Sequence, residues 1–205
     1  ALPILRTPAR TVTRRRRPYY AVDMVASSQS PTDREILTWQ GFGAGIRSLA
    51  LQIHDSGWMP DLVVAVARGG LLPAGALSYA LGVKACGTMN VEFYTDIEET
   101  LPEPVLIPPL MDVSALEGKR VLVVDDVADS GKTLDLVMQM VRDQGIPTGD
   151  PAGGAMVQVS EARSCCIYVK SRSVIMPDYV LKHTDKWINF PWSTLPPVTS
   201  DVEQP

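Results

Sequence analysis

Val121-Leu122-Val123-Val124-Asp125-Asp126-Val127-Ala128-Asp129-Ser130-Gly131-Lys132-Thr133-Leu134 is the stretch that decides how the rest of the chain is read. Four branched apolar residues followed by two carboxylates describe a strand buried on both faces and ending at the polar edge of a parallel sheet. Asp129 to Thr133 then form a polar turn. Beyond it Leu134, Val137, Met138 and Val141 recur at three-and-four spacing, which marks one face of a helix. Strand, turn and helix together predict an α/β fold with its site at the edge where the strands end.

Ser, Gly and Thr at a helix N-terminus aim unpaired backbone N–H groups and hydroxyls at one place, and the helix dipole adds partial positive charge there. Ser130, Gly131, Lys132 and Thr133 are therefore a candidate phosphate cup. Asp125 and Asp126 just before it would repel a bare phosphate, so hydroxyl donors or a hard cation such as Mg²⁺ must stand between them and the ligand. Sugar, metal and phosphate together point to a phosphorylated ribose. Other motifs fail on spacing. A triphosphate loop G-x-x-x-x-G-K-S/T needs Gly where Asp126 stands, an EF-hand needs an oxygen ligand where Val127 stands, and no G-x-G-x-x-G is present. The plain alternative is that two acids close a strand and Ser130 caps a helix.

With 205 residues, 45% hydrophobic and 20% charged, the chain suffices for one well-buried domain but not comfortably for two. No run approaches the about 18 to 20 apolar residues of a membrane span, and no signal segment opens the chain, so a cytoplasmic protein is expected. Cys86 and the adjacent Cys165 and Cys166 lie in apolar, strand-like surroundings without C-x-x-C spacing, and free buried thiols are expected. A net charge of -4 gives no overall pull toward nucleic acid, although Arg6, Arg10 and Arg14 to Arg17 crowd the start. Residues 1–29 read as a disordered basic tail, 30–196 as the folded domain and 197–205 as a second tail. Nucleic acid is not an expected partner.

Ser30-Pro31-Thr32-Asp33 has the residues of a helix start, which Leu37-Thr38-Trp39 interrupts. From Gln40, the positions Phe42, Ile46, Leu49, Ala50 and Ile53 keep helical spacing until Asp55-Ser56-Gly57. His54 near that end, with no second His or Cys nearby, reads as a surface residue. Leu62 to Ala67 is a second buried strand that ends in Arg68-Gly69-Gly70 before a helix over Leu71 to Leu81. Paired glycines let backbone amides approach an anion, and Arg68 adds charge-assisted hydrogen bonds. Gly87 to Phe93 is a third strand. Thr95 to Pro104 has no core pattern and reads as a long polar loop, and Gly145 to Gly154 as a turn-rich insertion without assigned chemistry. Ser164 to Val169 is a strand ending in the lone Lys170, and Asp178 to Leu181 a short one.

The Val121–Leu134 stretch resembles the phosphoribosyl-diphosphate signature of the type I phosphoribosyltransferases, a hydrophobic run, two acids, then D-S/T-G-x-T. Trp187-Ile188-Asn189-Phe190-Pro191-Trp192 is similar to the W-x-x-x-P-W ending of that family's xanthine-guanine branch. The likeness covers roughly Leu37 to Trp192. It implies a parallel twisted sheet flanked by helices, with a small hood subdomain and a flexible loop, and commonly a homo-oligomer, dimer or tetramer. It implies that Arg68, Gly69 and Gly70 form a pyrophosphate loop with a cis peptide expected between Arg68 and Gly69. Thr95 to Pro104 would be a hood loop that closes over the site, unusually acidic here, with Tyr94 near the sugar. Lys170 would donate to the exocyclic oxygen of a 6-oxopurine, Trp187 would stack on the base, and the Ile188 carbonyl would read its edge.

The implied reaction transfers a 5-phosphoribosyl group from phosphoribosyl diphosphate to a ring nitrogen of a 6-oxopurine (guanine, xanthine or hypoxanthine), giving the nucleotide and pyrophosphate. Asp125 and Asp126 would bind ribose hydroxyls directly or through Mg²⁺, Asp129 would act as general acid or base, and Ser130, Gly131, Lys132 and Thr133 would hold the 5-phosphate. Two other readings stay open: a regulator that senses phosphoribosyl diphosphate with the same fold, and a transferase for a non-purine acceptor.

Overall fold

A computed structural model describes residues 34–96, 99–110, 117–147 and 156–196, with the backbone alone over 92–96, 99–110 and 146–147. Both expected tails, Ser30 to Asp33 and most of the 145–154 insertion lie outside the described residues. Element order is β1 (Arg34–Ile36), α1 (Trp39–Asp55), β2 (Leu62–Ala67), α2 (Leu71–Leu81), β3 (Cys86–Asp96), β4 (Glu99–Leu110), β5 (Arg120–Ala128), α3 (Lys132–Gln139) running into a π turn (Met140–Gln144), β6 (Ile146–Pro147), β7 (Met156–Val157), β8 (Glu161–Val169), β9 (Tyr179–His183) and β10 (Trp187–Asn189).

The main sheet has the order β4-β3-β2-β5-β8-β9, with β4 antiparallel to β3 and the other neighbours parallel. Strand β5 sits at its centre. Its apolar run is buried on both faces, as a parallel strand covered by helices requires. Val121 and Val123 pack with Leu134, Val137, Met138 and Val141 of α3 and the π turn. Leu122 and Val124 pack on the other face with Ile46, Leu49 and Ile53 of α1 and Ala74 and Leu77 of α2. All four β5 residues are fully buried, each burial being worth about 1.5–3 kcal/mol. From β2 the chain crosses to β3 on one side, and from β5 to β8 on the other, so a crevice opens at the carboxyl ends of β2 and β5.

Three expectations need correction. Arg34 to Ile36 is a strand, not the body of a helix, and pairs in parallel with β10. Only Glu35 of its three residues is buried, and its Oε1 accepts from Lys182 Nζ at 2.7 Å. So short a strand carries no readable period, and its partner lies at the far end of the chain. The helix start falls instead at Thr38, whose hydroxyl accepts from the Gly41 amide at 3.0 Å. Second, Thr95–Asp96 and Glu99–Pro104 are strand and not irregular loop, because β3 runs to Asp96 and β4 begins at Glu99, pairing Tyr94 with Thr100 and Asp96 with Glu99. Main-chain hydrogen bonds carry this hairpin without a core pattern, and β4, being an edge strand, tolerates Pro102, Pro104, Pro108 and Pro109. Third, Cys86 is exposed, whereas Cys165 and Cys166 are buried free thiols. His54 is exposed as expected. Among the described residues no helix is long and apolar enough to cross a membrane.

Candidate active site

Loops leaving the carboxyl ends of β2, β5 and β8 meet at one edge of the sheet. The loop after β2 is built by close approach. A Cβ at Gly70 would strike the carbonyl oxygens of Val124 and Val66, and one at Gly69 would fall on the Asp126 carboxylate, 2.6 Å from Oδ2. Only glycine lets this corner lie against β5. The cis peptide is Ala67–Arg68, one bond earlier than the expected Arg68–Gly69. Because β2 runs parallel to β5, Arg68 at the end of the one stands on the same edge as Asp126 and Asp129 at the end of the other.

Asp125 Oδ1 accepts from the Asp126 amide at 2.8 Å. Burial, with the neighbouring Asp126 charge, pushes the Asp125 carboxyl well above the usual range, and burial raises that of Asp126 to about 6. Among the described residues neither has a lysine or arginine within ion-pair distance. Two half-enclosed carboxylates lacking a cation fit a hard divalent ion. Among the described residues no cluster of three or more His, Cys, Asp or Glu is placed to hold a metal. An ion at Asp125 and Asp126 would therefore complete its shell with ligand and water oxygens, the usual habit of Mg²⁺.

The turn after β5 puts Gly131, not Ser130, at the cap position of α3, with φ 74°. A Cβ there would strike Ser173 Oγ and approach Ile175 Cγ2 at 3.1 Å. Helical bonding starts with the Asp135 amide on the Gly131 carbonyl at 2.9 Å, so the amides of Lys132, Thr133 and Leu134 have no intrahelical acceptor. Ser130 Oγ lies 3.5 Å from the Lys132 amide, too far for a cap, and the plain reading of Ser130 as a helix cap does not hold. Lys132 is exposed and Thr133 half-buried.

On the other side of the crevice, Lys170 is 8% exposed, its amide donating to the Ala128 carbonyl at 3.1 Å and its Nζ lying 3.6 Å from Asp129 Oδ2. The adjacent Asp129 Oδ1 accepts from Arg172 Nε at 2.7 Å and Nη2 at 2.5 Å. Asp185 pins this loop by accepting from the Ser171 amide at 2.9 Å and hydroxyl at 2.8 Å, bonds that hold its carboxyl below the usual range. Trp187 is 65% exposed, with its ring centroid 6.0 Å from Lys170 Nζ. Asp129, Lys170, Trp187 and Ile188 line a cavity of about 530 Å³. Trp192 is packing: it stacks on Phe190 at 4.8 Å and meets Phe42 edge-on at 5.4 Å.

Of the candidate site residues, Arg68, Gly69 and Gly70 follow β2, Asp125 and Asp126 lie in the C-terminal half of β5, Asp129 to Gly131 form the turn after it, Lys132 and Thr133 open α3, Lys170 follows β8, and Trp187 and Ile188 lie on β10; the Tyr94 side chain lies outside the described residues. Two residues escaped sequence reasoning. Arg172 stands two positions after Lys170, where no motif marked it, and Arg34 lines the cavity from β1, donating from Nη1 to Asn189 Oδ1 at 3.1 Å. No local pattern in the sequence marked Arg34, because a three-residue strand is too short to show a period.

Residues 33–197 match the phosphoribosyl transferase domain family. The chain is 28% identical over 162 residues to a xanthine-guanine phosphoribosyltransferase of Gluconobacter oxydans, covering 78% of this chain and 84% of the relative. It is 29% identical over 163 residues to the enzyme of the same name from Cereibacter sphaeroides, covering 76% and 84%. The crystal structure of a purine phosphoribosyltransferase from Pyrococcus horikoshii superposes with a TM-score of 0.63 at 35% identity, over 82% of this chain and 99% of that one. A glycine corner, an acidic pair and a helix tip at one sheet edge, in a chain matched along most of its length, make this protein a member of the phosphoribosyl transferase domain family.

Proposed function

We propose that the chain transfers the 5-phosphoribosyl group of phosphoribosyl diphosphate to a ring nitrogen of a 6-oxopurine and releases pyrophosphate. What supports this reading above all is the meeting of three loops at one edge, with Gly69 against Asp126 and Lys170 beside Asp129. In the reaction the bond from ribose C1 to the diphosphate oxygen breaks, its electron pair leaving with pyrophosphate. A C1–N bond forms, and the ring nitrogen gives up its proton.

Arg68 and the amides of Gly69 and Gly70 stabilise the charge developing on the leaving group. Asp125 and Asp126 hold the ribose hydroxyls and would hold Mg²⁺, which when bound supplies further charge neutralisation at the diphosphate. Asp129 takes the proton. Its Oδ1 is engaged by Arg172 at 2.7 Å, whereas Oδ2 lies 3.6 Å from Lys170 Nζ, beyond hydrogen-bond distance, and is the oxygen that serves the base. The amides after Gly131, with the Ser130 and Thr133 hydroxyls, grip the 5-phosphate, and binding at this remote group orients the reacting carbon. Lys170 donates to the exocyclic oxygen at C6, Trp187 stacks on the ring, and the main chain at Ile188 reads the ring edge.

Guanine, xanthine, hypoxanthine, adenine and orotate, each with phosphoribosyl diphosphate and Mg²⁺, are to be scored by pyrophosphate release. The expected result is turnover confined to 6-oxopurines. Turnover of adenine or orotate alone, or of none, contradicts the proposal.

A further inference from the structure

The base cavity carries a charge that the roles above leave unused. Arg34 opens β1 and is in register with Trp187 across the parallel pair, so the two side chains leave the small sheet on the same face. Both line the cavity with Lys170. Glu35, the neighbouring acid, is buried and taken by Lys182, while Asp129 is taken by Arg172. Among the described residues no carboxylate lies within ion-pair distance of Arg34. Its guanidinium gives one donor to Asn189 Oδ1, which aims the group, and a guanidinium has five donors and no acceptor.

We infer that Arg34 is a specificity residue that reads the substituent at C2 of the purine and favours a carbonyl there. This deepens the proposed function and rests on it. Lys170 serves the C6 oxygen, so a second cation lining the same cavity asks for a second oxygen. A 2,6-dioxopurine offers one. A 2-amino group presents N–H donors to a group that can only donate, and a purine with hydrogen at C2 leaves the guanidinium unanswered. The expected effect of Arg34 is therefore greatest for xanthine, the 2,6-dioxo ring, and least for guanine.

The test measures kcat/KM of the full chain and of Arg34→Gln with xanthine, hypoxanthine and guanine, at saturating phosphoribosyl diphosphate and Mg²⁺. Arg34→Gln should lower the xanthine value by about tenfold or more, the loss expected for one charge-assisted hydrogen bond, and change the guanine value by less than about twofold. Arg34→Lys should restore part of the xanthine loss. Asn189→Ala, which frees the guanidinium without removing it, should shift the xanthine-to-guanine ratio in the same direction by a smaller factor. An equal fall for all three bases in Arg34→Gln and Asn189→Ala would make Arg34 a strand-packing residue and overturn the inference, as would an unchanged ratio. Should the unaltered chain turn over none of the three, the proposed function falls and this inference with it. Turnover with a ratio insensitive to Arg34 defeats the inference alone.

Discussion

In the proposed function the main chain does most of the binding at the glycine corner after β2, and side chains do it in the cavity beside β10. The corner consists of Gly69 and Gly70 pressed against Asp126, Val124 and Val66, and beside it the tip of α3 presents amides without an intrahelical acceptor. Each of these two pieces is continuous in the chain because a strand, a turn and a helix tip are consecutive. The cavity gathers Arg34 from β1, Asp129 from the loop after β5, Lys170 from the end of β8 and Trp187 from β10. A main-chain site presents the same N–H groups whatever residues surround it, so it suits a constant feature such as phosphate. A side-chain site is altered one residue at a time, so it suits the part of a reaction in which the acceptor varies.

The sharpest way to break this contrast is at the corner. Gly70→Ala drives a methyl into carbonyls of two central strands, and should cost about 3 kcal/mol of stability or more, seen as a large drop in the urea midpoint. A variant of unchanged midpoint would mean that the corner is not close-packed. At the cavity the expected loss is in function. Lys170→Ala should lower kcat/KM for 6-oxopurines by about a hundredfold while the Kd for phosphoribosyl diphosphate stays within about twofold. Equal losses in both would merge the two halves of the site.

The smallest effect expected is on stability at the acidic pair. Asp126 has its carboxyl raised to about 6, chiefly by burial, so the folded chain keeps a proton that the unfolded chain releases near pH 4. The resulting stabilisation is fully present below about pH 4 and is lost as pH rises through about 6. In metal-free buffer at pH 8, Asp126→Asn should therefore be more stable than the parent by about 1 kcal/mol, a figure below the full shift because solvent screens the half-open site. Mg²⁺ with phosphoribosyl diphosphate should reverse the order of the two proteins. If Asp126→Asn were the less stable at pH 8 without metal, the carboxylate would not carry a burial cost there.

The same contrast explains which features were legible in the sequence. Strand β5, its acidic pair, the turn and α3 form one continuous signal, since burial on both faces demands an unbroken apolar run and a helix face repeats at three and four. Gly69 and Gly70 were legible for a related reason: two glycines between a buried strand and a helix leave a backbone that has to come close to something. Arg34 was hidden because its position depends on pairing with a strand some 150 residues away, which no local period records. Arg172 was hidden because its role depends on Asp185 folding the Lys170–Arg172 loop back over Asp129. The hairpin of β3 and β4 was read as a loop because its edge strand is held by main-chain pairing, which leaves no alternation in the residues.

The two halves of the site join at Asp129, and the most direct test is to remove its charge while keeping its shape. In Asp129→Asn, binding of phosphoribosyl diphosphate with Mg²⁺ is measured calorimetrically alongside single-turnover pyrophosphate release with a purine base. Turnover is predicted to fall by about 10³-fold while the Kd changes by less than about threefold. A loss of binding as large as the loss of turnover would contradict the assignment of Asp129 as the proton acceptor at the base.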